Sequence, residues 1–239
     1  MNGTYEIESV RALMTHAWDH VETFHATAKI RNYNVGAPTG PNPHPPWQFL
    51  DPAFPGGDTA MAVTATWQHP DAWQHRRRTP AGTQVEYAAI GGQWQYSVDG
   101  VVTVQGSAAT RWGKYGAPTF DMGNPNVSPL DNRRRCRWIN PALWVDSVQL
   151  HLVWAGAIGC RDVYQLIAYP DPAALHANRG LWDMLQIEDE TIYEGSVYQL
   201  WVDRQTGFFH RLTAESDNGR AWDVIVDTLA LNQPLEDAR

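Results

Sequence analysis

Residues 196–226, SVYQLWVDRQTGFFHRLTAESDNGRAWDVIV, read as three consecutive strands joined by two tight turns. Tyr198, Leu200 and Val202 alternate with Gln199, Trp201 and Asp203, the period-2 pattern of a sheet with two different faces. Thr206-Gly207 supplies the first turn, where glycine takes a positive φ at no steric cost. Phe208, His210 and Leu212 then alternate with Phe209, Arg211 and Thr213. Asn218-Gly219 is the dipeptide most typical of a two-residue hairpin, and Trp222, Val224 and Val226 carry the third strand. No residue in this meander reads as catalytic. It reads as a wall.

Upstream, the same grammar recurs at short, regular spacing. Met61, Val63, Ala65 and Trp67 alternate, as do Trp73, His75 and Arg77, and Val85, Tyr87 and Ala89. Gly91-Gly92 turns the chain into 93–98, and Asp99-Gly100 turns it again into 101–105. Residues 148–154 and 163–169 read as a hairpin around Gly159. Successive strands with glycine turns signal an antiparallel meander rather than βαβ units. The N-terminal segment differs: Ile7, Val10, Leu13, Met14, Ala17, Trp18, Val21 and Phe24 form one apolar stripe at helical spacing, so a helix is expected over 6–24, followed by a strand over 25–33. Asn140-Pro141 predicts a short helix over 141–146, with asparagine as cap and proline at the first helical position. Asp171-Pro172 repeats that signal and opens a helix or an irregular insert, placed at 171–190. Residues 37–57 carry seven prolines and cannot form regular ladders. They form either a disordered loop or a lid, and Trp47, Phe49, Leu50 and Phe54 favour an ordered, docked loop. A second irregular stretch covers 113–129. The expected fold is mainly β: one curved, unclosed antiparallel sheet of about ten strands in a single domain over 1–239, with the N-terminal helix and short helices over its concave side.

Composition narrows the function classes. A hydrophobic content of 43% supports a real core, and 12 tryptophans exceed what packing needs, so some are expected to line a cavity or groove. A net charge of −8 argues against a general nucleic-acid or anionic-membrane binder. No apolar run is long enough for a transmembrane helix. The N-terminus lacks the basic-then-apolar layout of a signal peptide, so the chain as written reads as cytoplasmic. Cys136 and Cys160 make no metal spacing and no disulfide framework; they read as two ordinary thiols that could pair only in an oxidising compartment.

Chemistry-bearing motifs are sparse. His16 and His20 are four apart on the expected helix, but the intervening acid of a zinc helix is missing and both lie off the apolar stripe. His69, His75 and His210 fall on strands, and nothing in their spacing pairs them. There is no nucleophile elbow, no phosphate-binding loop and no dinucleotide fingerprint. No catalytic residue, metal or cofactor is expected. Arg76–Arg78 and the run from Arg133 to Arg137 could bind an acidic partner or the head group of an anionic lipid. The plainer reading is strands with arginines outward, their stems covering apolar surface.

The pieces in order are a leading amphipathic helix, HATAKI (25–30), YAAIGGQWQYSVDG (87–100), NPALWVDSVQL (140–150), GCRDVYQLIAYP (159–170) and YQLWVDRQTGFFHRL (198–212). This order resembles the LolA-like family of bacterial lipoprotein carriers, a grouping that includes actinobacterial lipid-binding lipoproteins and the sensor domain of periplasmic sigma-factor regulators. The resemblance implies an unclosed antiparallel half-barrel that binds an acyl chain, lipoprotein anchor or other apolar ligand on its concave side, or contacts a partner protein. The candidate lining residues are Trp18 on the helix and Trp67, Trp73, Trp94, Trp154 and Trp201 on strands. Two departures stand out. The family is normally exported and often lipidated, and the loop carrying Trp47 is longer than its scheme needs. The expected function is therefore non-enzymatic binding of a hydrophobic small molecule or lipid, with regulation through a bound protein partner as the alternative.

Overall fold

The computed structural model describes residues 3–32, 59–68, 72–78, 82–91, 93–107, 111–112, 118–119, 138–146, 148–171, 173, 197–216 and 219–233. The proline-rich loop at 37–57, His69, the Arg133–Arg137 run with Cys136, and the insert beyond Ala173 lie outside the described residues.

The first helix is shorter than its apolar stripe. α1 covers Gly3–Thr15, a turn occupies 16–20, and strand β1 begins at Thr23. Trp18 therefore stands in the turn, and Phe24 lies in a strand. The cause is a distant residue. The Asn232 side-chain carbonyl accepts the backbone N–H groups of Glu22 (2.6 Å) and Thr23 (3.3 Å), and its amide donates to the His20 carbonyl (2.8 Å). Phe24 then pairs with Trp67 and Leu231 in the ladder. Tertiary pairing overrides a helical period that the sequence carries as far as Phe24. His16 and His20 thereby leave the expected helix face, and His16 meets Asp19 at 2.7 Å.

The chain continues through β2 (Thr59–Gln68), β3 (Ala72–Arg78), β4 (Gln84–Ile90), β5 (Gln93–Val98) and β6 (Val101–Ser107). The short pair β7 (Arg111–Trp112) and β8 (Pro118–Thr119) follows. Helix α2 (Pro141–Val145) has the expected proline at its start, although the Asn140 side chain makes no capping bond. β9 (Val148–Ile158), β10 (Arg161–Pro170), β11 (Val197–Asp203), β12 (Phe209–Ser216) and β13 (Gly219–Leu231) complete the chain.

Eleven of these strands form one antiparallel sheet in the order β6-β5-β4-β3-β2-β1-β13-β12-β11-β10-β9. Two sequential meanders, β1–β6 and β9–β13, are thus joined by pairing of their first and last strands. Among the described residues β6 and β9 remain as edges, so the sheet is an unclosed half-barrel. The turns follow the sequence signals: Asp99 and Gly100 both take positive φ, 49° and 80°, as a two-residue hairpin requires. Gly207, φ 77°, does more than turn the chain, because a Cβ there would come within 2.5 Å of the Leu13 carbonyl oxygen. Helix α1 crosses directly over this turn.

Alternation sorts the strands into two faces. Tyr198, Leu200 and Val202 of β11, Leu166 and Ala168 of β10, and Met61, Val63, Ala65 and Trp67 of β2 are buried on the side that α1 and α2 cover. Trp18 packs there against Phe24, Trp67 and Phe208 with ring centroids 5.0, 5.6 and 5.2 Å apart. Trp144 of α2 packs edge-on to Tyr198 and Phe209. Arg11 ties the two helices by donating to the Val145 carbonyl.

Candidate functional site

The six candidate tryptophans divide between the two faces. On the helix side, Trp18 and Trp67 touch each other, and the Trp18 indole N–H donates to the Ile139 carbonyl at 3.0 Å. Directly opposite residues of an antiparallel pair share a face. The register runs Phe24–Trp67–Trp73–Ala89–Trp94 across β1 to β5, so Trp67, Trp73 and Trp94 occupy one row of the ladder. Beneath α1 and α2 the face is filled by the protein's own rings; away from them the row continues into β3–β5.

Trp154 and Trp201 belong to the opposite face. Their row runs Trp154–Gln165–Trp201–Arg211–Ile225–Lys29 across β9 to β1. The Trp154 indole lies over Gly156, where a Cβ would meet the ring at 2.1 Å, and 43% of the residue is exposed. The Arg211 guanidinium sits 5.1 Å above the Trp201 ring. It is anchored there by Asp223, at 2.9 and 3.1 Å, and Asp223 also accepts the Thr213 hydroxyl at 3.0 Å. Register, which the sequence leaves open, decided this division.

A polar cluster stands at the end of β11 on the same face, away from α1 and α2. A β-bulge leaves His210 unpaired between Phe209, opposite Val202, and Arg211, opposite Trp201. Bulges re-aim side chains, and the His210 Nε2 lies 2.9 Å from Asp203 Oδ2. Arg161 Nη1 is 2.6 Å from His210 Nδ1. Arginine offers only donors, so Nδ1 is the acceptor toward Arg161 and Nε2–H the donor toward Asp203. With both ring nitrogens engaged, His210 is positioned as a strut rather than as a general base. The pair lies on the face of the sheet away from α1 and α2.

Asp203 is the hub of the turn. Its Oδ1 accepts the backbone N–H groups of Gln205 and Thr206 and the Thr206 hydroxyl, at 2.9, 2.8 and 3.0 Å. Partial burial pushes the carboxyl up, but the bonds from His210, Thr206 and Gln205 outweigh it and hold it at about 2, below its ordinary 3.8. The sign follows from linkage. A depressed carboxyl contributes stability above its unfolded value, near 3.8, and loses it as pH falls toward about 2. Wild type should therefore lose about 1–2 kcal/mol more than Asp203→Asn across that window, allowing for solvent screening. Urea unfolding at several pH values measures the difference, and identical slopes for the two proteins would remove Asp203 from this role.

Strand β3 holds the least expected arrangement. Arg76 faces outward and pairs with Glu86 at 2.9 Å, and Arg78 is exposed. His75 and Arg77 turn the other way, at 4% and 5% exposure, in register with Ala65 and Val63 on the helix side. Arginines outward, the plainer sequence reading, thus holds for two of the three. The alternation Trp73, His75, Arg77 was the signal for the third.

Among the described residues no group of three or more His, Cys, Asp or Glu side chains is placed to hold a metal, and no helix is long and apolar enough to cross a membrane. Cys160 is an exposed free thiol at the β9–β10 turn.

Neither a protein-family model nor a curated protein sequence matches the chain. Solved structures similar to it include the Pseudomonas aeruginosa MucA/MucB complex (10% identity, 96% of this chain and 59% of that chain, TM-score 0.47). They also include LprF from Mycobacterium bovis (12%, 97% and 98%, 0.46) and the LolA superfamily protein NE2245 from Nitrosomonas europaea (11%, 95% and 93%, 0.30). The chain spans about three fifths of the MucB chains it matches. The set includes the kind of protein the sequence resembles; the architecture described above rests on this chain's own strand order and register.

Proposed function

We propose that the protein binds a hydrophobic ligand, a lipid or acyl chain, without catalysing a reaction on it, on the helix side of β2–β5. The observation that carries this reading is the ladder register Trp67–Trp73–Ala89–Trp94, which puts two further tryptophan positions in the same row of the sheet as Trp67, the ring that Trp18 packs on. An apolar chain needs little more than a dry, aromatic-lined face to leave water. The test is native mass spectrometry followed by organic extraction, on wild type, Trp94→Ala and Trp154→Ala. The expected result is an apolar molecule bound to wild type and Trp154→Ala and lost from Trp94→Ala. Loss on Trp154→Ala alone, or no uptake of added fatty acid or phospholipid by wild type, overturns it.

A second reading, contact with a protein partner, has its own observation. Val153, Trp154 and Ile158 are exposed on β9, which is an edge of the sheet among the described residues. An edge strand with apolar side chains accepts an extended segment by strand addition. The two readings separate by variant: Trp94 governs the first and Trp154 the second.

A further inference from the structure

We propose that His210 is an acid-sensitive latch on the face away from the helices: uptake of a proton by its ring expels Arg161 and opens a strap that ties β10 to β12 and β13. Arg161 Nη1 lies 2.6 Å from His210 Nδ1, and Nη2 donates to the Asp227 carbonyl at 3.4 Å. Both contacts fall at register shifts. His210 is the bulged residue of β12, and Asp227 is that of β13, where Thr228 pairs with Thr27 and Val226 with Ala28. One guanidinium from the start of β10 thus holds two bulges, the places where a ladder is locally unpaired.

The contact to His210 tolerates one protonation state. A guanidinium offers donors and no acceptor, so it needs a bare Nδ1. A proton there sets donor against donor and cation against cation at 2.6 Å. The surroundings decide which partner leaves. Among the described residues the ring's other polar contact is Asp203, 2.9 Å from Nε2 and pinned by the Gln205 and Thr206 amides. Held at about 2, Asp203 stays an anion and gains by facing an imidazolium. Arg161 is otherwise held by a long bond to a neutral carbonyl and can turn to water. The nearby charges are engaged or solvated: Arg211 by Asp223, Asp227 by Lys29 at 3.5 Å, Arg204 over the Tyr164 ring, and Asp162 exposed. Opening also changes packing. Val163 is 1% exposed on this face, in register with Asp203 and Gly156. Beside it stand Arg161 along the strand and the Trp154 ring over Gly156. Departure of Arg161 removes one side of that cover, so the apolar surface next to exposed Trp154 and Ile158 grows in acid.

The test is carbon-detected NMR of the arginine guanidinium groups in wild type, His210→Gln and Arg161→Met. Spectra at about pH 7.5 and about pH 5 bracket the ordinary titration of an imidazole. Arg161→Met identifies the Arg161 signals by their disappearance. In wild type, Arg161 should show two separate Nη signals at the higher pH, the mark of slowed rotation in a held guanidinium. They should merge into one averaged signal at the lower pH. His210→Gln presents an uncharged side chain at both pH values, so there Arg161 should give the same signals at both. Unchanged Arg161 signals in wild type overturn the proposal, and that outcome needs no variant to fold. A wild-type change that persists in His210→Gln overturns it as well, since another group is then titrating.

Discussion

Trp18→Ala should lower folding stability by about 3–5 kcal/mol, the range for removing a buried aromatic side chain. Trp18 is buried at the meeting point of β1, β2 and the β11–β12 turn, where its ring touches Phe24, Trp67 and Phe208. These partners belong to three separate parts of the chain, so no local shift can close the gap. The indole also holds α2 in place, because its N–H donates to the buried Ile139 carbonyl just before that helix. Trp18→Phe keeps most of the ring contact but leaves that carbonyl without its donor, at a cost of roughly 1–3 kcal/mol. Urea unfolding followed by circular dichroism ranks wild type, Trp18→Phe and Trp18→Ala in that order. A loss below about 1 kcal/mol for the alanine variant would mean that Trp18 does not hold the helices to the sheet.

Arg211→Ala is expected to be nearly as costly, and costlier than removing its partner. The Asp223 side chain is 2% exposed, whereas that of Arg211 is 35% exposed. Taking away the arginine strands a buried carboxylate with the Thr213 hydroxyl alone, a penalty of about 3–5 kcal/mol. Taking away the aspartate leaves a guanidinium that can turn to water, so Asp223→Ala should cost clearly less. The arginine variant also loses the contact over Trp201. Replacing both, as Arg211→Met with Asp223→Leu, should recover much of the loss, since neither charge is then buried unpaired. Equal costs for the two single variants would show that exposure does not set the asymmetry. The comparison is a double-mutant cycle in urea.

Much of the architecture was legible from local signals. The meander 196–226, the hairpins at Asp99-Gly100 and Gly159, and the helix after Asn140 all depend on short-range chemistry, namely alternation and positive-φ residues. The end of α1 was not legible, because Phe24 fits a helical stripe and a strand equally well. Asn232, more than 200 residues away, settles it by claiming the backbone of Glu22 and Thr23. The site was legible only in part. Tryptophan abundance pointed to a lined face, yet Trp154 and Trp201 fall on the other side of the sheet from Trp18 and Trp67. Asp203, His210 and Arg161 come from three strands and meet through a bulge that no sequence spacing announces.

By itself, then, the sequence determined the element types, the turn positions and the antiparallel class, because these follow from propensities acting over two to five residues. Tertiary structure decided three things: that the first and last strands join the two meanders into one sheet, where α1 stops, and which of β3's alternating residues face the core. Each depends on pairing between segments far apart in the chain, and a one-residue change of register would reverse every face. For Arg77 that choice separates a solvated surface charge from a cation held against an apolar wall.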